Sequence, residues 1–126
     1  MSKYVDGFVL VVPKDKKEEY KKMAAFGRDS WMKHGALEYF ETRSDDLTQQ
    51  DMGGVMSRSF TDIAGATEND DVWFSFIVFK SREHRDEVNA KVYAEMDDMS
   101  EEMKQIAMSF DMSKMAYGGF QAEVEG

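Results

Sequence analysis

Two acidic residues carry the clearest potential for chemistry in this chain: Asp6 within YVDGFVLVV and Glu38 within ALEYFETR, each set in an apolar strand pattern. A carboxyl group stripped of water holds its proton more tightly, which suits general acid or base work. In the usual strand order 4-1-3-2 of a βαββαβ sheet, the strands bearing them flank the third, so Asp6 and Glu38 are expected about 10 Å apart. That is too far for direct proton sharing, but it leaves room for a ligand between them. The simpler reading, which each residue taken alone favours, is that both pair with Arg or Lys across a dimer interface and fix its register.

The remaining candidates have structural explanations. His34 ends a helix in WMKHGALEYFE, where Gly35 supplies the stop and positive charge is favoured. His84 lies in the first turn of a later helix beside Arg85, where the helix dipole opposes protonation. No histidines stand at metal-ligand spacing, and neither Asp45-Asp46 nor Asp97-Asp98 continues into a calcium loop, so no metal and no cofactor are expected. Ser75 and Ser81 lack the GxSxG surroundings of a hydrolase nucleophile. YGGF, residues 117–120, lacks the lysine and following helix of a phosphate loop, and its glycines fit a bulge or close backbone approach. Asn89, a poor helix former in mid-helix, is either exposed or bonded to a neighbouring loop. The methionines between Met96 and Met115 are expected to fill a core, with an adaptable binding surface as the alternative.

Composition narrows the function further. The 126 residues fit a single domain, 1–126, and 42% hydrophobic residues with 13% aromatics suffice for a core. A formal charge of −9 opposes nucleic-acid binding, and the one basic cluster, PKDKKEEYKK, is interrupted by acids at helical spacing. The absence of cysteine removes disulfides, thiolate sites and cysteine catalysis. No apolar run reaches the ~18 residues of a membrane span, and the N-terminal stretch has an internal aspartate and no small-residue cleavage site. A cytoplasmic protein with no membrane and no nucleic-acid partner is expected.

The elements that must position these residues follow from periodicity. Residues 3–12 form a β-branched and aromatic strand stopped by Pro13, the one proline. From Lys14 to about Lys33, Tyr20, Met23, Ala24, Gly27 and Trp31 recur at helical offsets. Residues 36–43 read as a strand, residues 44–71 as a polar loop with a short element near Met52 to Phe60, and DVWFSFIVFK, 71–80, as the strongest strand. Ser81 caps a helix with Val88, Val92 and Met96 on one stripe, a second helical piece spans about Ser100 to Met108, and residues 113–125 close the chain as a strand. The order is βαββαβ: an α+β, ferredoxin-like fold with a four-stranded antiparallel sheet.

In the third strand Val72, Phe74, Phe76 and Val78 share one face and Trp73, Ser75, Ile77 and Phe79 the other. Two helices cover one side of such a sheet, so an apolar face remains. A second copy packed sheet to sheet, a dimeric α/β barrel, is the economical cover; the 44–71 loop folding across the sheet is the competing one. If Val5, Gly7, Val9 and Val11 face the helices, then Tyr4, Asp6, Phe8 and Leu10 face the partner, as do Glu38, Phe40, Met115, Tyr117, Gly119 and Gln121. The expected chamber has Asp6 and Glu38 as candidate catalytic groups, and Tyr4, Phe8, Phe40, Trp73, Tyr117 and Gln121 as candidate ligand contacts.

YVDGFVLVVPKDK, KHGALEYFE, SREHRDEVNAKV and KMAYGGF, in this order over nearly the whole chain, resemble the YbaA-like family, small bacterial proteins of unknown function in the dimeric α/β-barrel superfamily. The resemblance implies a ferredoxin-like subunit and a homodimer, and it implies no activity. Superfamily relatives include cofactor-free monooxygenases, isomerases, haem enzymes and stress proteins, among which fold does not choose. RSFTDIAGATENDD departs from the family by lacking a proline after Ser59-Phe60 and by its acidity. Two functions are carried forward. One is a homodimer binding a small apolar or aromatic metabolite in the barrel chamber or a helix–sheet crevice, with cofactor-free oxygenase or isomerase chemistry. The other is a non-enzymatic dimeric structural or interaction protein.

Overall fold

The fold is taken from a computed structural model that describes residues 2–126. Strand β1 (Tyr4–Pro13) leads through a 3-10 turn (Lys14–Lys16) into helix α1 (Lys17–Lys33). Strand β2 (Glu38–Arg43), short helix α2 (Phe60–Ala64) and strand β3 (Asp70–Phe79) follow. Helices α3 (Arg82–Met96) and α4 (Glu101–Met108), a 3-10 turn (Met112–Lys114) and strand β4 (Ala116–Gln121) complete the chain. The strands lie in the order β2-β3-β1-β4, each neighbour antiparallel. This is the ferredoxin-like α+β arrangement expected from the sequence.

Local chemistry sets the boundaries. The hydroxyls of Ser81, Ser100 and Ser59 accept the backbone N–H groups of His84, Met103 and Asp62, capping α3, α4 and α2. Helix α1 stops at Gly35, whose φ of 115° suits glycine. Tyr20, Ala24, Gly27 and Ser30 form the buried stripe of α1, and Val88, Asn89 and Val92 that of α3. Both stripes cover the same side of the sheet.

Register and burial decide the faces, and they reverse part of the expected assignment. Tyr4, Asp6, Phe8 and Leu10 pair across β1 and β3 with Phe79, Ile77, Ser75 and Trp73. Leu10, Val12, Trp73, Ile77 and Phe79 are buried with α1 and α3 side chains in the two main core clusters. The odd residues of β1, not the even ones, therefore face away from the helices. Strand β4 is reversed in the same sense: Tyr117, Gly119 and Gln121 sit opposite Phe8, Asp6 and Tyr4 on the helix side, while Ala116, Gly118 and Phe120 lie on the open face. In β2 the expectation holds, with Tyr39 toward the helices and Glu38 and Phe40 away.

The reversal has a physical cause. Both faces of β1 are apolar, so alternation carries no directional signal and does not decide on which side Asp6 is buried. It is 1% exposed, on the helix side, because partners satisfy it there. Asp6 and Glu38 thus occupy opposite faces of the sheet and bound no common chamber.

The open face has two regions. Leu47, Ala64 and Ala66 of the 44–71 segment pack on Val11 and Val72, and the Phe60 ring lies 6.4 Å from Phe74, so that segment covers one end. Beyond it Phe40, Phe74 and Phe120 remain 47%, 47% and 62% exposed. No helix among the described residues is long and apolar enough to cross a membrane.

Candidate functional site

The polar centre on the helix side of the sheet is Glu41, brought there by the same alternation that turns Tyr39 inward. Ser75 stands directly opposite it on β3, and Tyr20 reaches it from α1. Tyr20 donates to Glu41 Oε2 at 2.9 Å, Tyr39 to Oε1 at 2.7 Å, and the Ser75 hydroxyl to Oε2. Burial, reinforced by the Glu41 charge beside them, holds both phenols well above the ordinary tyrosine range, so they remain donors. Among the described residues no Lys, Arg or His forms an ion pair with Glu41. Its charge is balanced by three hydroxyl dipoles.

Above this floor a cavity of about 270 Å³ lies between the sheet and the helices, walled by Phe8, Met23, Trp31, Met96, Met112 and Met115 among others. Met96 and Met115 pack against the two main core clusters, in keeping with the expected core filling, and together with Met99 and Met112 they also line this cavity. Gly27 is what brings α1 so near: a Cβ there would stand 2.8 Å from the Tyr39 hydroxyl. The Trp31 indole is held by its N–H donating to Asn89 Oδ1 at 2.9 Å.

A second polar cluster uses Asp6. Arg85 donates to Asp6 Oδ1 at 2.6 Å and to the Tyr117 hydroxyl at 3.0 Å, Asn89 donates to Asp6 Oδ2 at 3.4 Å, and the Arg85 guanidinium lies 4.8 Å from the Tyr4 ring centre. Burial, followed by the Asp6 charge, raises the Tyr117 phenol. The ion pair foreseen for Asp6 therefore forms within its own subunit, with an arginine from α3. Asn89 tethers strand to helix and neither points to solvent nor joins a loop.

The other sequence candidates disperse. Phe8 lines the cavity and lies 5.0 Å from Tyr117. Trp73 packs edge-on against Tyr20 at 4.7 Å, and its indole N–H finds no acceptor among the described residues. Phe40 borders the cavity, while its ring stacks on Phe76 at 5.0 Å on the open face, where Glu38 is exposed. Gln121 lies exposed at the end of β4. His34 contacts Glu95, which also receives Lys33 at 2.6 Å and Ser30 at 3.3 Å, and His84 Nδ1 accepts the Lys80 N–H at 3.0 Å.

Glu41, Tyr20 and Tyr39 are not among the candidates that the sequence singles out, and Ser75 stands there only as a serine without a nucleophile's surroundings. A signal was present, since any residue two along from an inward Tyr39 must also point inward.

A family model described as protein of unknown function (DUF1428) matches residues 3–112. The chain is 38% identical over 125 residues to the uncharacterized protein YbaA of Escherichia coli strain K12, covering 98% of each chain. It matches the protein of that name from Shigella flexneri to the same extent. Among solved structures, the de novo designed protein Foldit4 aligns with a TM-score of 0.46 and 6% identity over 96% of this chain and 99% of that one. With a family match over most of its length and YbaA relatives alike from end to end, the chain belongs to the DUF1428 family of proteins of unknown function.

Proposed function

We propose that this protein binds a compact, largely apolar, aromatic small molecule in the cavity between α1 and the sheet. The observation that carries this reading is the site's composition: apolar and aromatic walls around one polar floor of Glu41, Tyr20, Tyr39 and Ser75. Ligand sites are built this way, with the body of the ligand buried in apolar contact and a few polar groups setting its orientation. The space of about 270 Å³ is partly open to solvent, which gives a ligand a way in. Were the ligand turned over without a cofactor, as in an isomerase or oxygenase, Glu41 is the wall's acid–base group.

A thermal-shift screen of the purified protein against quinones, phenols, aromatic acids and aromatic amines tests the proposal. A true ligand raises the melting temperature with saturation, by ~2.7 kcal/mol of stability at a hundred times its Kd. Ala107→Leu, which extends a side chain into the cavity from α4, should remove the response. A screen without hits, together with a plain gain in stability for Ala107→Leu, would make the cavity a packing defect.

A second reading rests on the open sheet face, whose exposed Phe40, Phe74 and Phe120 favour a cover by another copy of the chain around a two-fold axis. In that reading the subunit is one half of a cytoplasmic homodimer. The interface lies on the opposite side of the sheet from the ligand cavity, so a purely structural dimer and a ligand-binding dimer differ only in whether that cavity is used.

A further inference from the structure

We infer that the cavity selects a hydrophobic amine, bound as the ammonium against Glu41, and excludes carboxylates and other anions of the same shape. The inference rests on the reading of the cavity as a ligand site and adds the chemistry of its occupant.

It follows from a count of donors. The side chains on the cavity wall that own an N–H or O–H are Tyr20, Tyr39, Ser75 and Trp31. Each phenol and the serine has one hydrogen and the indole has one. Tyr20, Tyr39 and Ser75 spend theirs on Glu41, and Trp31 spends its own on Asn89. Glu41 is the one charged residue on that wall. What the floor still offers a visitor is lone pairs: those of the three hydroxyl oxygens, and the remaining capacity of a carboxylate with about four lone-pair sites, three of them taken. A ligand acceptor would find no free side-chain donor, and a ligand anion would meet a carboxylate of its own sign between apolar walls, where opposition is less screened than in open water.

An ammonium meets the opposite situation. It brings two or three donors to a set of acceptors and supplies the counter-charge that no Lys, Arg or His ion pair gives Glu41 among the described residues. The walls also carry the rings of Phe8, Tyr20 and Trp31, and aromatic rings attract a cation placed over their faces. The side chains of Met23 on α1, Met96 at the end of α3, Met99 in the link to α4, and Met112 and Met115 before β4 fit the apolar body, since thioethers adapt to shape and add no donor of their own.

The test uses three probes of one shape on the purified full-length chain at a fixed neutral pH: 3-phenylpropylamine, 3-phenylpropanol and 3-phenylpropionate, titrated by calorimetry and thermal shift. The amine should bind at least tenfold tighter than the alcohol, and the acid should not bind. In Glu41→Gln, the amine should lose its advantage over the alcohol. Because that change alters the partner of three hydroxyls, Tyr39→Phe serves as the second variant: it keeps Glu41, frees one of its lone pairs and should retain the order amine over alcohol over acid. An acid that binds as well as the amine, in a manner blocked by Ala107→Leu, overturns the inference and leaves the ligand site standing. No binding by any of the three, joined to a screen without hits, removes both. The wild-type ranking decides the matter whatever the stability of the variants.

Discussion

Tyr39 donates its hydroxyl to Glu41, its same-face neighbour two residues along β2, at 2.7 Å. A strand thus supplies both partners of one hydrogen bond without help from elsewhere, and the rest of the floor is added to it: Ser75 from the facing strand and Tyr20 from the helix above. Such an arrangement is rigid at its base, because cross-strand register holds Glu41 opposite Ser75. Adaptation to a ligand would fall to the methionine-rich wall, whose unbranched thioether side chains repack readily.

The closeness of α1 to this floor predicts a change of sign between two backgrounds. Alanine at position 27 gains up to about 1 kcal/mol of helix propensity, but its Cβ would stand 2.8 Å from the Tyr39 hydroxyl. Displacing that hydroxyl weakens a bond to a charged group, a loss of about 1.5–3 kcal/mol. Gly27→Ala should therefore destabilise the native protein and stabilise the Tyr39→Phe variant. Urea unfolding of the four proteins measures the coupling; equal effects in both backgrounds would show that the contact does not limit the helix.

Asp6 gives the largest expected single-site loss. Its carboxylate and the Arg85 guanidinium have side chains only 2% and 12% exposed, and removing one partner of a buried pair strands the other at a cost of about 3–5 kcal/mol. Asp6→Ala and Arg85→Met should each lose that much and, combined, far less than the sum. Ligand response should survive in whichever variant folds, since Asp6 is not on the cavity wall. A ligand response lost in a folded Asp6 variant would return this residue to the site.

The order of the main elements could be read from the chain because its signals are local: Pro13 at the end of β1, Gly35 after α1, Ser81 ahead of α3; helix α2, capped by Ser59, lies at Phe60–Ala64, just beyond the short element expected near Met52 to Phe60. The faces of the sheet could not, because β1 alternates Val5, Val9 and Val11 against Phe8, Leu10 and Val12, apolar both ways, and the glycines of β4 blur the pattern again. Glu41 was hidden for another reason. Alternation from Tyr39 turns it inward, but an acid in a short edge strand ordinarily meets water, and the hydroxyls of Tyr20 and Ser75 that satisfy it there are 21 residues before it and 34 after it, a separation that periodicity does not span. Asp6 shows the same limit, since its partners Arg85 and Asn89 lie 79 and 83 residues away.

Glu95 should leave a mark on acid stability. Hydrogen bonds from Lys33, then from His34, lower its carboxyl from 4.5 to about 2, so the folded state holds this group ionised more strongly than the unfolded chain does. The sign follows from linkage: the contribution is complete above about 4.5 and is lost as pH falls toward about 2. Glu95→Gln should lower the melting temperature at pH 6 and converge on the parent protein near the acid end of that window. A difference between the two that is independent of pH would mean that the side chain acts by packing.

The open face predicts an assembly state that two substitutions can separate from folding. Phe120 is 62% exposed in the subunit, yet its ring lies against Gly7 and Gly118, 3.4 Å from where a Cβ on either would stand, so Phe120→Lys removes some intramolecular packing as well as any contact with a second copy. Phe74, at 47% exposed and next to Phe60 and Phe76, sits nearer the centre of the face, and Phe74→Glu places a charge where two copies would meet. If the sheets pack face to face, the parent chain should run as a dimer at micromolar concentration in light scattering, and both variants should run as folded monomers. Like charges related by a two-fold axis oppose one another directly, so Phe74→Glu should dissociate more completely at low salt than at high salt. A parent chain that is monomeric at that concentration would remove the second copy as the cover and leave the face to some other partner. The ligand cavity, which opens on the other side of the sheet, should respond to its probes equally in dimer and monomer.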